Sequence, residues 1–237
     1  GSFPGTHPLS LGMLGMHGAY WSNMSMHEAD LVIAIGVRFD DRVTGKVSEF
    51  CPHARIIHID IDPAEIGKMI QPDLQAIGDA KVILTELNKH VAKLQTKEWL
   101  SHLNGYKKRF PLSYKKQGGL KMQHILDVLD QLTESKAVVT TDVGQHQMWA
   151  AQFCKSIRPW DWISSGGAGT MGFGFPAAIG AQLGRPDDIV VAVVGDGGFQ
   201  MTLAELATAQ RNLAEANNET LRRVAEAERT VRREYER

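Results

Sequence analysis

Residues 189–199 set a glycine-flanked acid at the end of an apolar run. Ile189 to Val194 are uniformly apolar, and Gly195-Asp196-Gly197-Gly198-Phe199 follows at once, where a helical pattern begins. A strand with no polar face reads as one buried on both sides of a parallel sheet. Its carboxyl end, leading into a helix, is where doubly wound sheets take phosphorylated ligands. Gly195, Gly197 and Gly198 let the backbone approach a phosphate closely. Asp196 adds a hard oxygen ligand, which suits a Mg²⁺ bridging a diphosphate to protein. The plainer alternative is a strand end turned by Gly-Asp-Gly, and the tripeptide alone favours it.

Other stretches carry similar signals. Val143-Gly144-Gln145-His146 follows the strand predicted at Ala137–Thr141, a second carboxyl end; an ordinary helix start with solvent-facing amides is the alternative. Gly169-Thr170-Met171-Gly172 places a methionine between glycines, where a plain gap-filling role competes with cofactor support. In the first half, Leu14-Gly15-Met16-His17, Gly36-Val37-Arg38 and the following Asp40, Arg42 and Val43 sit at loops and strand ends. Asp60-Ile61 closes another strand, a position where an acid commonly meets an adenosine ribose. Gly78-Asp79 comes after it. Each of these has a loop or cap reading beside the functional one, and Arg38 with Asp40 makes a plausible surface ion pair.

The elements that must hold these residues alternate. Strands are predicted at Leu31–Gly36, Ala54–Asp60, Ala137–Thr141, Trp162–Ser164 and Ile189–Val194. Helices are predicted over 25–29, 64–69, 81–94, 122–132, 146–153 and 176–183, while the Lys-rich stretch 95–119 reads as loose. Strands alternating with helices mean parallel α/β layers. The fold class is α/β: two incomplete doubly wound parallel-sheet units followed by a C-terminal helix. Hydrophobic and charged residues make up 43% and 22% of the 237, as in ordinary globular proteins. A net charge of −1 gives no electrostatic case for nucleic acid or an anionic membrane. No apolar run is long enough for a membrane span, and no signal peptide is expected at Gly1-Ser2-Phe3-Pro4-Gly5. Cys51 and Cys154 lack CxxC spacing and read as free thiols of a cytoplasmic protein.

The Gly195-Asp196-Gly197 text resembles the opening of the thiamine diphosphate signature, a GDG followed further on by Asn-Asn. The stretches 141–149 and 166–174, Leu14-Gly15-Met16-His17-Gly18 and 36–45 are similar to the catalytic large subunit of acetohydroxyacid (acetolactate) synthase. The resemblance runs from Gly1 to about Ala209. It implies a partial central, FAD-binding-like domain over 1–95, a linker over 96–120 and a partial thiamine diphosphate-binding domain over 121–209. It implies thiamine diphosphate against Val143, Gly144, Gln145, His146, Gly169, Met171, Gly195, Gly197 and Gly198, with Mg²⁺ on Asp196. FAD, structural because the reaction has no net redox step, is implied at Leu14, Gly15, Met16, His17, Gly36, Val37, Arg38, Asp40, Arg42, Val43, Asp60, Ile61, Gly78 and Asp79. The implied activity is carboligation of pyruvate with a second 2-oxo acid, serving branched-chain amino acid synthesis. The implied assembly is a homodimer or larger, with a regulatory small subunit. The glutamate that activates the cofactor belongs to the family's pyrimidine-binding domain, which this chain is expected to lack. No catalytic residue is assigned here, and little activity is expected from these residues alone; a non-catalytic chimeric scaffold or nucleotide-binding module is the alternative.

Residues 210–237 change character. They hold no Lys and seven Arg, against thirteen Lys and six Arg before them, with six Glu interleaved. Glu219 with Arg223 and Glu228 with Arg232 are supportive i,i+4 pairs, so one solvated helix is predicted from Ala204 to about Glu234. The interval from Gly197 to Asn217 also reads as one helix, which would put Asn217 roughly 27 Å along the axis from Phe199, out of reach of Asp196.

Overall fold

The computed structural model describes residues 2–115, 117–216, 218 and 229. The chain divides into two compact units, Gly1–Lys136 with Gln147–Pro159, and Ala137–His146 with Trp160–Arg237.

In the first unit α1 (Tyr20–Glu28) leads into β1 (Leu31–Ile35), and Gly36 at φ +61° ends the strand. One short helical turn, α2 (Asp41–Thr44), is capped by Asp40, whose Oδ1 accepts from the Arg42 amide at 3.0 Å. β2 (Arg55–Asp60) and β3 (Leu74–Ile77) complete a parallel sheet of order β1-β2-β3. Side chains alternate across a strand. Val32, Ala34 and Ile56 therefore share one face and form a core with Phe39, Cys51 and Ile70, against which Met26 of α1 and Ala29 pack. Leu31, Ile33 and Ile35 point the other way and are exposed.

α3 (Ala80–Leu87) starts on Asp79, whose Oδ1 accepts from the Val82 amide at 3.1 Å. α4 (Lys97–Arg109) packs on α1 through Leu103, which is 2% exposed. At that contact Tyr106 donates to Glu28 Oε1 at 2.5 Å, and His102 Nε2 lies 2.6 Å from Glu28 Oε2. α5 (Met122–Leu132) buries Leu126, and near its end the Asp130 carboxylate accepts from the Ser135 hydroxyl and the Lys155 amide.

In the second unit β4 (Val138–Thr141) runs into the start of α6 (Gln145–Phe153), whose residues from Gln147 on belong to the first unit; β5 (Trp162–Ser164), α7 (Gly174–Gly184), β6 (Val190–Val193) and α8 (Asp196–Met201) follow in the second. The sheet is parallel in the order β5-β4-β6. β4 is central and wholly buried; the Thr140 hydroxyl donates to the Gly174 carbonyl at 2.8 Å, while the Thr141 hydroxyl is buried without a partner. Buried Asp161, just before β5, is matched by the Arg185 guanidinium at 2.9 Å. Residues 202–204 turn, and residues 205–216 form a further helix.

The α/β class with two parallel sheets stands as predicted. Five local expectations do not. β6 is no doubly buried strand: it lies at a sheet edge, only Val193 of it is buried, and neighbouring Ile189 is 61% exposed. An apolar run reports strand type and not sheet position, and in this sheet the strand with neighbours on both sides is β4. Residues 63–70 are turns and bends rather than a helix, with Pro63 and the left-handed Gly67 (φ +73°) breaking the pattern. The helix predicted over 81–94 stops at Leu87. The Lys-rich stretch expected to be loose contains α4, because Trp99, Leu103 and Tyr106 recur at helical spacing beneath its lysines. β3 was not predicted at all. The turn at 202–204 breaks the single helix expected between Phe199 and Asn217; of the predicted tail helix, 205–216 are helical, and most of the remainder lies outside the described residues.

Candidate functional site

Three loops of the second unit meet at the carboxyl ends of β4 and β6. The Asp142 amide donates to the Val193 carbonyl at 3.0 Å, so the two strand ends are tied before their loops diverge. After β4 the chain passes Val143 and Gly144 (φ +152°) into α6, which begins at Gln145. After β6 it passes Gly195 into α8. The His146 imidazole fills the space against both glycines: a Cβ on Gly144 or on Gly195 would lie 2.9 Å from its Cε1. Burial pushes the His146 pKa below the ordinary 6.5, partly opposed by the charges of Asp142 and Asp196, so the ring favours its neutral form. Its Nε2 is buried with no protein partner.

The third loop carries Gly169 to Gly172. Gly169 (φ +62°) has open space around it, and its amide donates to the Ser165 carbonyl at 2.8 Å. Exposed Met171 reaches the α8 side, where its Cε would be 3.4 Å from a Cβ on Gly197. Buried Gly172 lies against Met201 and Thr202, where a Cβ would be 3.2 Å from each. All nine residues expected around thiamine diphosphate therefore lie on three converging loops. Asp142 is the residue the pattern underweighted. Fully buried, it accepts from the amides of Val143 at 2.8 Å, Gly172 at 3.0 Å and Gly174 at 3.0 Å. The available signal was an acid placed directly after an apolar strand.

Two observations test the fit of a cofactor. Unfilled space beside Gly169 and the partnerless His146 Nε2 suit a polar organic ligand in a glycine-lined cradle. The metal finds less. Asp196 is exposed, and among the described residues no group of three or more His, Cys, Asp and Glu could hold an ion. A Mg²⁺ here would have to arrive with its other oxygen ligands on the diphosphate.

The residues expected around FAD lie in the first unit at the carboxyl ends of β1, β2 and β3, which the parallel sheet places along one edge. Leu14 to His17 join Arg42 and Val43 directly: a Cβ on Gly15 would lie 2.3 Å from the Arg42 carbonyl oxygen. His17 sits near Arg42 and Asp40, and burial, then Arg42, hold its pKa below 6.5. Val37 offers its carbonyl to His58 Nε2 at 2.8 Å, and the Gly78 amide donates to the Asp60 carbonyl at 2.9 Å. Exposed Ile61 follows Asp60. The carboxylates are largely engaged already. Asp40 caps α2 and pairs with Arg38 at 3.3 Å, Asp79 caps α3, and Asp60 Oδ1 accepts from the Asp62 amide at 2.9 Å. Open backbone at Gly36 and the buried, unpartnered Nδ1 of His58 leave the edge compatible with a dinucleotide.

Other features lie apart from both edges. A cavity of about 970 Å³ runs along α4, lined by Leu94, Lys97, Asn104 and Lys108, and contains none of the candidate residues. Cys51 and Cys154 are free thiols, and burial pushes them up to about 11 and about 12, which makes them poor nucleophiles.

Comparison with known proteins places these edges in context. Residues 1–87 match the thiamine pyrophosphate enzyme central domain, and residues 142–218 match the C-terminal TPP binding domain of the same enzymes. The chain is 51% identical over 215 residues to a chloroplastic acetolactate synthase of Arabidopsis thaliana, covering 88% of this chain and 32% of that protein. It is 48% identical over 220 residues to the acetolactate synthase large subunit of Buchnera aphidicola, covering 90% of this chain and 38% of the relative. For an acetolactate synthase of Mycobacterium bovis the figures are 47% over 216 residues, 88% and 35%. The chain thus spans about a third of the length of these curated relatives.

Proposed function

We propose a function from one premise: this chain belongs to the thiamine pyrophosphate enzymes. It is a piece of an acetohydroxyacid synthase large subunit, which condenses pyruvate with a second 2-oxo acid. The observation that carries this reading is the meeting of Val143–His146, Gly169–Met171 and Gly195–Gly198 at neighbouring strand ends, with Met171 against Gly197. Thiamine diphosphate, when bound, supplies the electron sink for decarboxylation and carbon–carbon joining.

The chain's own residues bind and orient. Gly195, Gly197 and Gly198 would let the backbone approach the diphosphate, and Asp196 would hold the Mg²⁺. Val143, Gly144, Gln145 and His146 line the diphosphate side. Gly169 would offer its carbonyl to the aminopyrimidine, and Met171 would support the cofactor as an apolar side chain. FAD belongs to the edge formed by Leu14–His17, Gly36–Arg38, Asp40, Arg42, Val43, Asp60, Ile61, Gly78 and Asp79, as a structural group. Residues 1–95 and 121–209 then form the FAD-binding-like and thiamine diphosphate-binding portions, joined through 96–120 and followed by the 210–237 tail. The working assembly is an oligomer with a regulatory small subunit, acting in the cytoplasm. Among the described residues no helix is long and apolar enough to cross a membrane.

None of these side chains replaces the activating glutamate, which the family supplies from its pyrimidine-binding domain. A scaffold without catalysis is the second reading, favoured by the single exposed carboxylate of Asp196. Calorimetric titration of thiamine diphosphate into the 237-residue chain, with Mg²⁺ and with chelator, separates the two. Saturable heat that requires Mg²⁺, with a raised thermal midpoint, is the expected result. Absence of both would overturn the reading in favour of the scaffold. Acetolactate formed from pyruvate, measured by a colorimetric assay, should stay at the blank level for this chain alone.

A further inference from the structure

We propose that Asp142 is a positioning residue that sets the two walls of this cradle relative to each other. The inference rests on the cofactor reading above for its purpose, and on this structure for its geometry. Four stretches converge on one side chain that is 0% exposed. Oδ1 accepts from the Val143 amide at 2.8 Å and from the Gly172 amide at 3.0 Å, and Oδ2 accepts from the Gly174 amide at 3.0 Å. The fourth stretch is the first turn of α8: a Cβ on Gly198 would lie 2.5 Å from Oδ1, and only a glycine allows that approach. Gly174 is held as closely, since a Cβ there would lie 2.6 Å from the Asp142 amide nitrogen.

A carboxylate taken out of water is tolerated only when hydrogen bonds replace its hydration. Here three backbone amides do so, from positions as far apart in sequence as 143 and 174. The carboxylate therefore dictates where the 169–172 loop and the start of α7 stand against β4 and α8. Met171 belongs to that loop and Gly197 to α8, so the wedge and the diphosphate-facing backbone share one anchor. Both Asp142 oxygens are occupied by amides, which separates its role from that of exposed Asp196.

The test replaces Asp142→Asn in the 237-residue chain. An amide keeps the shape but sets an N–H donor against at least one backbone N–H. Amide exchange at Gly172 and Gly174, followed by NMR, should quicken about tenfold or more, the scale of one lost charge-assisted hydrogen bond. Thiamine diphosphate affinity in Mg²⁺ should fall by about the same factor, at a temperature where the variant remains folded. Gly198→Ala provides a second route if Asp142→Asn does not fold. It keeps the charge, forces the carboxylate aside, and should quicken exchange at the same two amides. Unchanged exchange at Gly172 and Gly174, or a lowered thermal midpoint with unchanged affinity, would overturn the proposal. If the unaltered chain takes up no thiamine diphosphate, the functional reading falls, and exchange in the two variants alone decides whether Asp142 positions these loops.

Discussion

At Gly15 the backbone has φ +79°, and a Cβ would meet the Arg42 carbonyl oxygen at 2.3 Å and Val43 Cα at 2.8 Å. Gly36 has a similar φ of +61° but open space around it. The two glycines therefore separate conformational cost from contact cost. A left-handed backbone costs a side chain about 1–2 kcal/mol, and forcing atoms into packed backbone adds about 1–3 kcal/mol. Gly36→Ala should lose about 1 kcal/mol of stability and Gly15→Ala about 3 kcal/mol, read from urea unfolding. Equal losses would mean the 15–17 turn does not rest on the Arg42–Val43 backbone. The sequence made these glycines visible as parts of motifs but could not divide their reasons, because the contact at Gly15 comes from residues 42 and 43. Asp142 was hidden in the same way. Two of its three amide partners lie thirty or more residues downstream, whereas Asp40 and Asp79 cap helices beginning at the next residue and could be read locally as caps.

The elements were legible where period and length agreed. β1, β2, β4 and β6 follow from apolar, β-branched runs, and α5 from an apolar stripe that buries Leu126. β3 was missed because Leu74-Gln75-Ala76-Ile77 is short and mixed, and its strand state comes from pairing with β2. The α1–α4 contact was also out of reach, since it joins Glu28 to His102 and Tyr106 across more than seventy residues. That contact carries a pH dependence. The Tyr106 hydroxyl, then His102, hold the Glu28 carboxyl below its ordinary 4.5. A carboxyl with a depressed folded pKa adds stability that is present above the unfolded value and is lost as pH falls through the folded one. Glu28→Gln should therefore lower the urea midpoint at pH 6, and the difference from the unaltered chain should shrink as pH falls below 4.5 and through the lowered folded value. A difference that does not change as the solution is acidified would assign the effect to packing rather than to the carboxylate charge.

Across the whole chain the two units repeat one plan, a parallel sheet with candidate residues at the carboxyl ends of its strands, and that plan was readable from alternation alone. The course of the chain after α8 was harder to place, because the C-terminal family match extends to residue 218 and so includes Asn217-Asn218. Taken by itself, that match invites a metal site in which an asparagine returns to Asp196. Such a return needs a turn and a strand between them. Residues 205–216 instead form a helix, rising about 18 Å at 1.5 Å per residue. Asn218 is itself helical and exposed. The metal would then depend on one protein carboxylate and the diphosphate. Asn218→Ala should change thiamine diphosphate affinity in Mg²⁺ by less than about twofold, as surface substitutions do. Asp196→Asn should weaken it by about tenfold or more, the cost of a charge-assisted contact. Both are read by the same calorimetric titration. If Asn218→Ala proves as damaging as Asp196→Asn, the asparagine does reach the metal, and the helix over 205–216 must give way to a returning strand when cofactor binds.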